Sequence, residues 1–225
     1  MDLKLIIFDV DGTLVDSQAD ILASMRGAFA GVGMKAPSRE EILGIVGLSL
    51  PLAVARLAPG VDAATLEAMV EGYKASYMRL RTENGTEASS PLYPHVREVL
   101  DALHARPEWL LGIATGKSRR GLDRLVDAHG IRRLFVTQQC ADDHPSKPHP
   151  AMIEAALDEA GVAPHQAVML GDTSFDMDMA RDAGVHGIGV SWGYHDRARL
   201  ASARTIIDDI RALPALLDQL WSQAA

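Results

Sequence analysis

Two pairs of aspartates have spacing that suits chemistry. Asp9 and Asp11 follow the apolar run LKLIIF in FDVDGTLVDS, and Asp172 and Asp176 follow a second run in AVMLGDTSFDM. Residues two apart in an extended chain point to the same side, so Asp9 and Asp11 can face one crevice. Four carboxylates at two strand ends repel one another unless a cation neutralises them. A hard divalent ion such as Mg2+, which takes carboxylate, carbonyl and phosphate oxygens, suits the set. One Asp after a strand is ordinarily a turn or a helix cap; its repetition at two strand ends favours a shared site. A third stretch, LLGIATGKS at residues 110–118, resembles a nucleotide-binding loop. Only Ile113, Ala114 and Thr115 separate Gly112 from Gly116, one residue fewer than a P-loop needs, so its backbone cannot wrap two phosphates. A Thr and a Lys ending an apolar run can still grip one phosphate.

Such groups act together only if strands deliver them to a common edge. Five short runs, LKLIIFDV, WLLGIATG, RLFVTQ, AVMLGD and VHGIGVSW, read as buried parallel strands, which are apolar throughout rather than alternating. Amphipathic stretches lie between the later ones, with Leu122, Leu125 and Val126 on one helix and Met152, Ile153, Ala156 and Leu157 on another. Ser118 suits the N-cap of the first, and Pro148 the opening turn of the second. Strand–helix alternation predicts an α/β fold with a doubly wound, Rossmann-like parallel sheet, whose ligands gather at the carboxyl ends of the strands. Residues 16–90 lack strand patterning. There Leu22, Met25, Phe29 and Val32 share a helical face, as do Leu66, Met69, Val70, Tyr73, Tyr77 and Leu80. The spacing predicts a helical domain over 16–90 inserted into a core of 1–15 and 91–225, with TENGTEASSP as a hinge.

Composition narrows the partners. The 225 residues carry 22 Lys plus Arg against 30 Asp plus Glu, a net charge of −8. Without a basic surplus, nucleic acid and anionic membrane are not expected partners. Cys140 is the only cysteine, so no internal disulfide can form, and a reducing cytoplasm is the expected location. No run is long enough to span a bilayer.

DVDGT, IATGK, SKPHP and GDTSFDM, in that order and with a helical insert between the first two, resemble the four motifs of the haloacid dehalogenase superfamily. The likeness covers nearly the whole chain and lies with phosphatase-type members that carry a small helical cap, the phosphoglycolate phosphatase group. It makes LLGIATGKS a second-motif strand. It implies that Asp9 is a nucleophile forming an aspartyl-phosphate and Asp11 a general acid and then base. It also implies Mg2+ held by Asp9, the Asp11 main-chain carbonyl, Asp172 and Asp176. Thr115, the Gly116 N–H and Lys147 would bind phosphate, and Gly12 would serve the tight turn beside it. Thr13 reads as a local hydrogen-bonder. Lys117 is open between substrate contact and a solvated helix start. Dehalogenating members lack an acid at the Asp11 position, so the expected substrate is a small phosphorylated metabolite, phosphoglycolate-like or a sugar phosphate, acted on by a monomer or homodimer.

Other residues carry weaker expectations. Leu48 and Ser49, in a Gly-Leu-Ser turn of the insert, are candidates for substrate specificity, with Arg56, Lys74 and Arg79 as further contacts. His95 stands where relatives often carry Gly, and Phe175 where many carry a polar residue. His144 and His149 flank Lys147 and read as a solvated loop. Trp192, Gly193 and Tyr194 read as packing at the core edge. A sugar phosphomutase shares the core motifs and is the enzymatic alternative. A phospho-acceptor signalling domain, the non-catalytic alternative, places its Asp on a middle strand and has no helical insert.

Overall fold

The computed structural model describes residues 2–222. The five apolar runs form β1 (Lys4–Phe8), β2 (Trp109–Thr115), β3 (Phe135–Cys140), β4 (Ala167–Gly171) and β5 (His186–Val190). A sixth strand, β6 (Thr205–Ile207), adds an edge that the sequence did not announce. All pair in parallel, in the order β3-β2-β1-β4-β5-β6. The chain builds outward from β1 to one side and then from β4 to the other. The crevice between the carboxyl ends of β1 and β4 is therefore the topological switch point, where open α/β sheets bind ligands. Phe8 lies opposite Leu170 there, which sets the next residues of both strands side by side.

Alternation along β1 divides the core. Ile6 and Phe8 join the cluster beneath α6 (Val96–His104), α7 (Arg119–Ala128) and α10 (Leu213–Ser222). Leu5 and Ile7 face the opposite cluster with α8 (Ala151–Ala160) and α9 (Ser174–Asp182). Ser118 caps α7 by accepting from the Gly121 N–H. Pro148 is not in the opening turn of α8: Pro150 is its N-cap, and Pro148 lies in the loop before it. A proline satisfies the helix start equally from Pro150, two positions on, so the sequence left the choice open.

Between Val15 and Leu92 the chain is helical: α1 (Gln18–Gly31), α2 (Arg39–Leu43), α3 (Leu50–Leu57), α4 (Ala63–Asn84) and α5 (Thr86–Ser89). Ser38 and Glu41 close α2 with a capping box, and Asp62 caps α4 through the Thr65 N–H. Met25, Phe29, Ile42, Val54 and Met69 form a separate apolar core among these helices. The stretch read as a hinge holds the last turn of α4 and the whole of α5. The two crossings between layers run side by side: Val15 bridges Leu92 in antiparallel fashion, and the Asp16 N–H donates to the Pro91 carbonyl at 2.9 Å. No helix among the described residues is long and apolar enough to cross a membrane.

Candidate active site

At the switch point the first and fourth strand ends bring Asp9, Asp172 and Asp176 together. Each offers a carboxylate oxygen within 4.8 Å of the others, and all three are buried. Lys147, fully buried, donates to Asp9 Oδ1 at 2.6 Å and to Asp176 Oδ1 at 2.7 Å. Burial works against its charge, but Asp176 and Asp9 raise its pKa and keep it an ammonium. Burial, with help from Asp176 and Asp11 and against Lys147, pushes Asp9 up to about 7. Asp172 rises well above the carboxylate range, again through burial first and then through Asp176 and Asp9. Three carboxylates facing one ammonium leave negative charge uncompensated in a dry site. Asp9 Oδ2 is moreover buried without a hydrogen-bond partner among the described residues. A hard divalent cation fits this donor set on both counts.

The other oxygens are spoken for, and they hold the carboxylates in place. Asp176 Oδ2 accepts from the Thr173 N–H at 3.0 Å and the Thr173 hydroxyl at 2.7 Å, within the box that starts α9. Asp172 Oδ1 accepts from the Thr13 hydroxyl at 3.2 Å, and Oδ2 from the Tyr194 N–H at 2.7 Å. Thr13 is thus not a local hydrogen-bonder; its partner follows the neighbouring strand β4. Nor is the 192–194 stretch mere edge packing. Trp192 Nε1 donates to the Thr13 carbonyl, and Gly193 presses its backbone on Asp172 so closely that a Cβ would overlap the side chain. Gly12 has φ +86° and the same close approach to Asp172, so the turn after Asp11 needs a residue without Cβ. Sequence reading missed Gly193 and Tyr194. Their one visible signal was a position just after a strand.

Asp11 belongs to a second group. Lys117 Nζ reaches both its oxygens at 2.6 Å, and the Ser17 hydroxyl also donates to it. Burial opposes the charge, but Lys117 and then Ser17 hold Asp11 below the usual carboxylate range. Lys117 is therefore not a solvated helix start. It is enclosed by Asp11 and the Tyr77 hydroxyl at 3.2 Å, with the Tyr77 ring 5.5 Å from its ammonium. Thr115, at the end of β2, is buried, and its Oγ1 accepts only the Lys117 N–H, at 3.3 Å.

Asp9, Asp11, Thr115, Gly116 and Lys117 line one side of a cavity of about 430 Å³, and the helical segment lines the other. Leu48 and Ser49 both border it, and the Ser49 N–H donates to Ser146 Oγ of the loop carrying Lys147. Lys74 borders it too. Arg56 instead lies over the Phe175 ring, and Arg79 pairs with Glu83 on the surface. His144 bonds Gln139 Oε1, and His149 accepts from the Ala151 N–H, so the two point into different local contacts. Phe175 packs on His195, and Asp176 takes its bonds from Thr173 and Lys147. His95 takes the left-handed conformation, φ 65°, at the N-cap of α6, a site where glycine is easier.

The family model for haloacid dehalogenase-like hydrolases matches residues 6–190. A phosphoglycolate phosphatase of Pseudomonas fluorescens (strain Pf0-1) is 32% identical over 220 residues, covering 96% of this chain and 80% of that protein. The probable phosphatase IndB of Dickeya dadantii (strain 3937) is 34% identical over 209 residues, covering 91% and 89%. Among solved structures, a predicted phosphoglycolate phosphatase from Haemophilus somnus 129pt superposes with a TM-score of 0.82 at 26% identity, covering 96% of this chain and 98% of the other.

Proposed function

We propose that this chain, which belongs to the haloacid dehalogenase-like hydrolases, is a Mg2+-dependent phosphatase that cleaves a small phosphorylated metabolite through an aspartyl-phosphate on Asp9. The observation that carries the reading is the Asp9 carboxylate: it lines the cavity, one oxygen is held by Lys147, and the other has no partner. A carboxylate fixed in this way can attack phosphorus without first breaking a hydrogen bond at the attacking atom. Asp9, Asp172, Asp176 and the Asp11 main-chain carbonyl would hold the metal. The ion supplies charge neutralisation for a phosphoryl group that would otherwise meet three carboxylates.

In the first step an Asp9 oxygen forms the new bond to phosphorus as the bond to the leaving oxygen breaks. Asp11 delivers the proton that the departing alkoxide takes up. In the second step Asp11 removes a proton from water, whose oxygen displaces Asp9 and releases phosphate. For Asp11 to start as the acid, Lys117 must turn from it, and an anionic substrate offers that ammonium another partner. Thr115, the Gly116 N–H and Lys147 would hold the phosphoryl oxygens through both steps. Residues 16–90 would be the cap domain, hinged where Val15 and Leu92 run together, and Leu48 and Ser49 would meet the leaving group.

2-Phosphoglycolate is the first substrate to try, because relatives bear its name. The experiment follows phosphate release with Mg2+, with excess chelator and with the variant Asp9→Asn. Activity should vanish on chelation and fall on the order of 10³-fold or more in Asp9→Asn, with the fold intact by circular dichroism. Turnover retained in either case refutes the metal role or the covalent step.

A further inference from the structure

We infer that the leaving group has an apolar body beyond its first two carbons rather than a sugar's hydroxyls, an inference that rests on the phosphatase reading and sharpens its substrate class. Size comes first. 2-Phosphoglycolate has nine non-hydrogen atoms, and even at the roughly 30 Å³ of a whole liquid water for each they fill about 270 Å³. The cavity measures about 430 Å³, within the range of sites that hold larger organic ligands. The space is partly open to solvent, yet it is bounded by contacts between the layers. Gly116 and Gly47 lie so close that a Cβ on Gly116 would overlap the Gly47 carbonyl, and Ser49 is bonded to Ser146. The helical segment is seated on the core and the space remains.

Chemistry comes second. The wall from α1, α3 and the connection before α3 is built from Ile21, Met25, Ile45, Val46 and Leu50, with Tyr73 beside them on α4. Tyr73 lies flat against Tyr77, centroids 5.8 Å apart at 13°, a surface suited to a planar or branched apolar group. Sugar hydroxyls against the Ile21, Met25, Ile45, Val46 and Leu50 side chains would lose water without gaining partners, a cost that apolar carbon does not bear. The cations are Lys117, Arg120 and Arg124 from the core and Lys74 and Arg81 from α4, and Arg81 keeps Nε and Nη1 without a hydrogen-bond partner among the described residues. Neither Arg120 nor Arg124 pairs with a carboxylate among the described residues, so charge on the substrate has a place apart from the apolar wall.

The test compares substrates with the same reacting centre. 2-Phosphoglycolate and the 2-O-phosphate of 3-phenyllactate both place the ester beside a carboxylate and differ by a benzyl group. Glucose 6-phosphate supplies the hydroxylated alternative, and acetyl phosphate, activated and too small to reach the wall, reports the phosphoryl chemistry alone. In the wild type, kcat/KM for the phenyllactate ester should exceed that for phosphoglycolate and for glucose 6-phosphate by at least about tenfold. Ile45→Asn and Leu50→Asn, at half-buried wall positions, should each reduce that preference about tenfold and leave acetyl phosphate within about twofold. Equal or lower kcat/KM for the phenyllactate ester, or a preference untouched by both variants, overturns the inference while phosphate release from acetyl phosphate keeps the phosphatase reading standing. Failure to release phosphate from all four substrates overturns that reading and this inference together.

Discussion

Asp172 is oriented by groups far from it in the chain: the Thr13 hydroxyl, the Tyr194 N–H, and the bare backbones of Gly12 and Gly193 pressed against its side chain. Partners that orient a ligand of a metal commonly change its affinity ten- to hundredfold when altered. In Gly193→Ala the new methyl must displace Asp172 or the loop after β5. We expect Mg2+ affinity, measured by calorimetry or by the metal-induced rise in melting temperature, to fall by about that factor while the metal-free fold stays intact. Unchanged affinity would show that Asp172 does not hold the ion. The same residues mark the limit of what the sequence disclosed. Asp9, Asp11, Asp172, Asp176, Thr115 and Lys147 were legible because strand ends and motif spacing name them locally. The Thr13–Asp172 and Lys117–Asp11 bonds were not, because they join residues 159 and 106 positions apart, and no local pattern encodes such a meeting.

The elements show the same division. Five strands were readable as unbroken apolar runs because both faces of a parallel sheet are covered. The three residues of β6 offer no run to read, and α5 is a single turn inside a stretch rich in Ser, Thr, Asn and Gly. Nor could the docking of helices on sheet be read. It depends on His195, whose Nδ1 accepts the Ser174 N–H at the start of α9 and whose Nε2 meets the Gly44 carbonyl beyond α2 at 3.1 Å. Arg199 reaches the same carbonyl. Burial first, then the nearby Arg199, lowers the His195 pKa from 6.5 to about 4, although Asp176 and Asp196 pull the other way. A folded-state pKa below the unfolded one means that the unfolded chain binds more protons between pH 6.5 and 4. Stability from this group is therefore complete above pH 6.5 and is lost as pH falls toward 4, by up to about 3 kcal/mol. Urea unfolding of the wild type should weaken across that window. His195→Gln should be less stable at pH 7 and flatter between pH 6.5 and 4, and an equal slope in both proteins would remove His195 from the account.

On the scale of the whole molecule, two of the places where the layers touch differ in what they allow. One is the pair of crossings near Val15 and Leu92, where backbone bonds tie the strands of the connection together. The other is the meeting of the Gly47–Ser49 turn with the loops after β2 and β3, where Ser49 bonds Ser146 and Gly47 lies on Gly116. The first can act as a hinge, because a rotation there leaves both apolar cores whole. On the proposed cap reading, the second parts when substrate enters. Gly116 is the position that separates these roles. An alanine there keeps the N–H that would bind phosphate, but its Cβ would overlap the Gly47 carbonyl, and a backbone atom cannot swing aside as a flexible side chain can. The helical layer has to lift. Gly116→Ala should therefore fold with unchanged secondary structure yet show a larger radius of gyration by small-angle X-ray scattering and faster proteolysis near residues 15 and 92. Hydrolysis of 4-nitrophenyl phosphate, whose leaving group needs little help, should fall less than hydrolysis of an alkyl ester that depends on exclusion of water and on contacts with the wall. The comparison is the ratio of the two kcat/KM values in variant and wild type, with an expected shift of about tenfold against the alkyl ester. An unchanged radius of gyration together with an unchanged ratio would mean that the contact between Gly47 and Gly116 plays no part in closing the molecule.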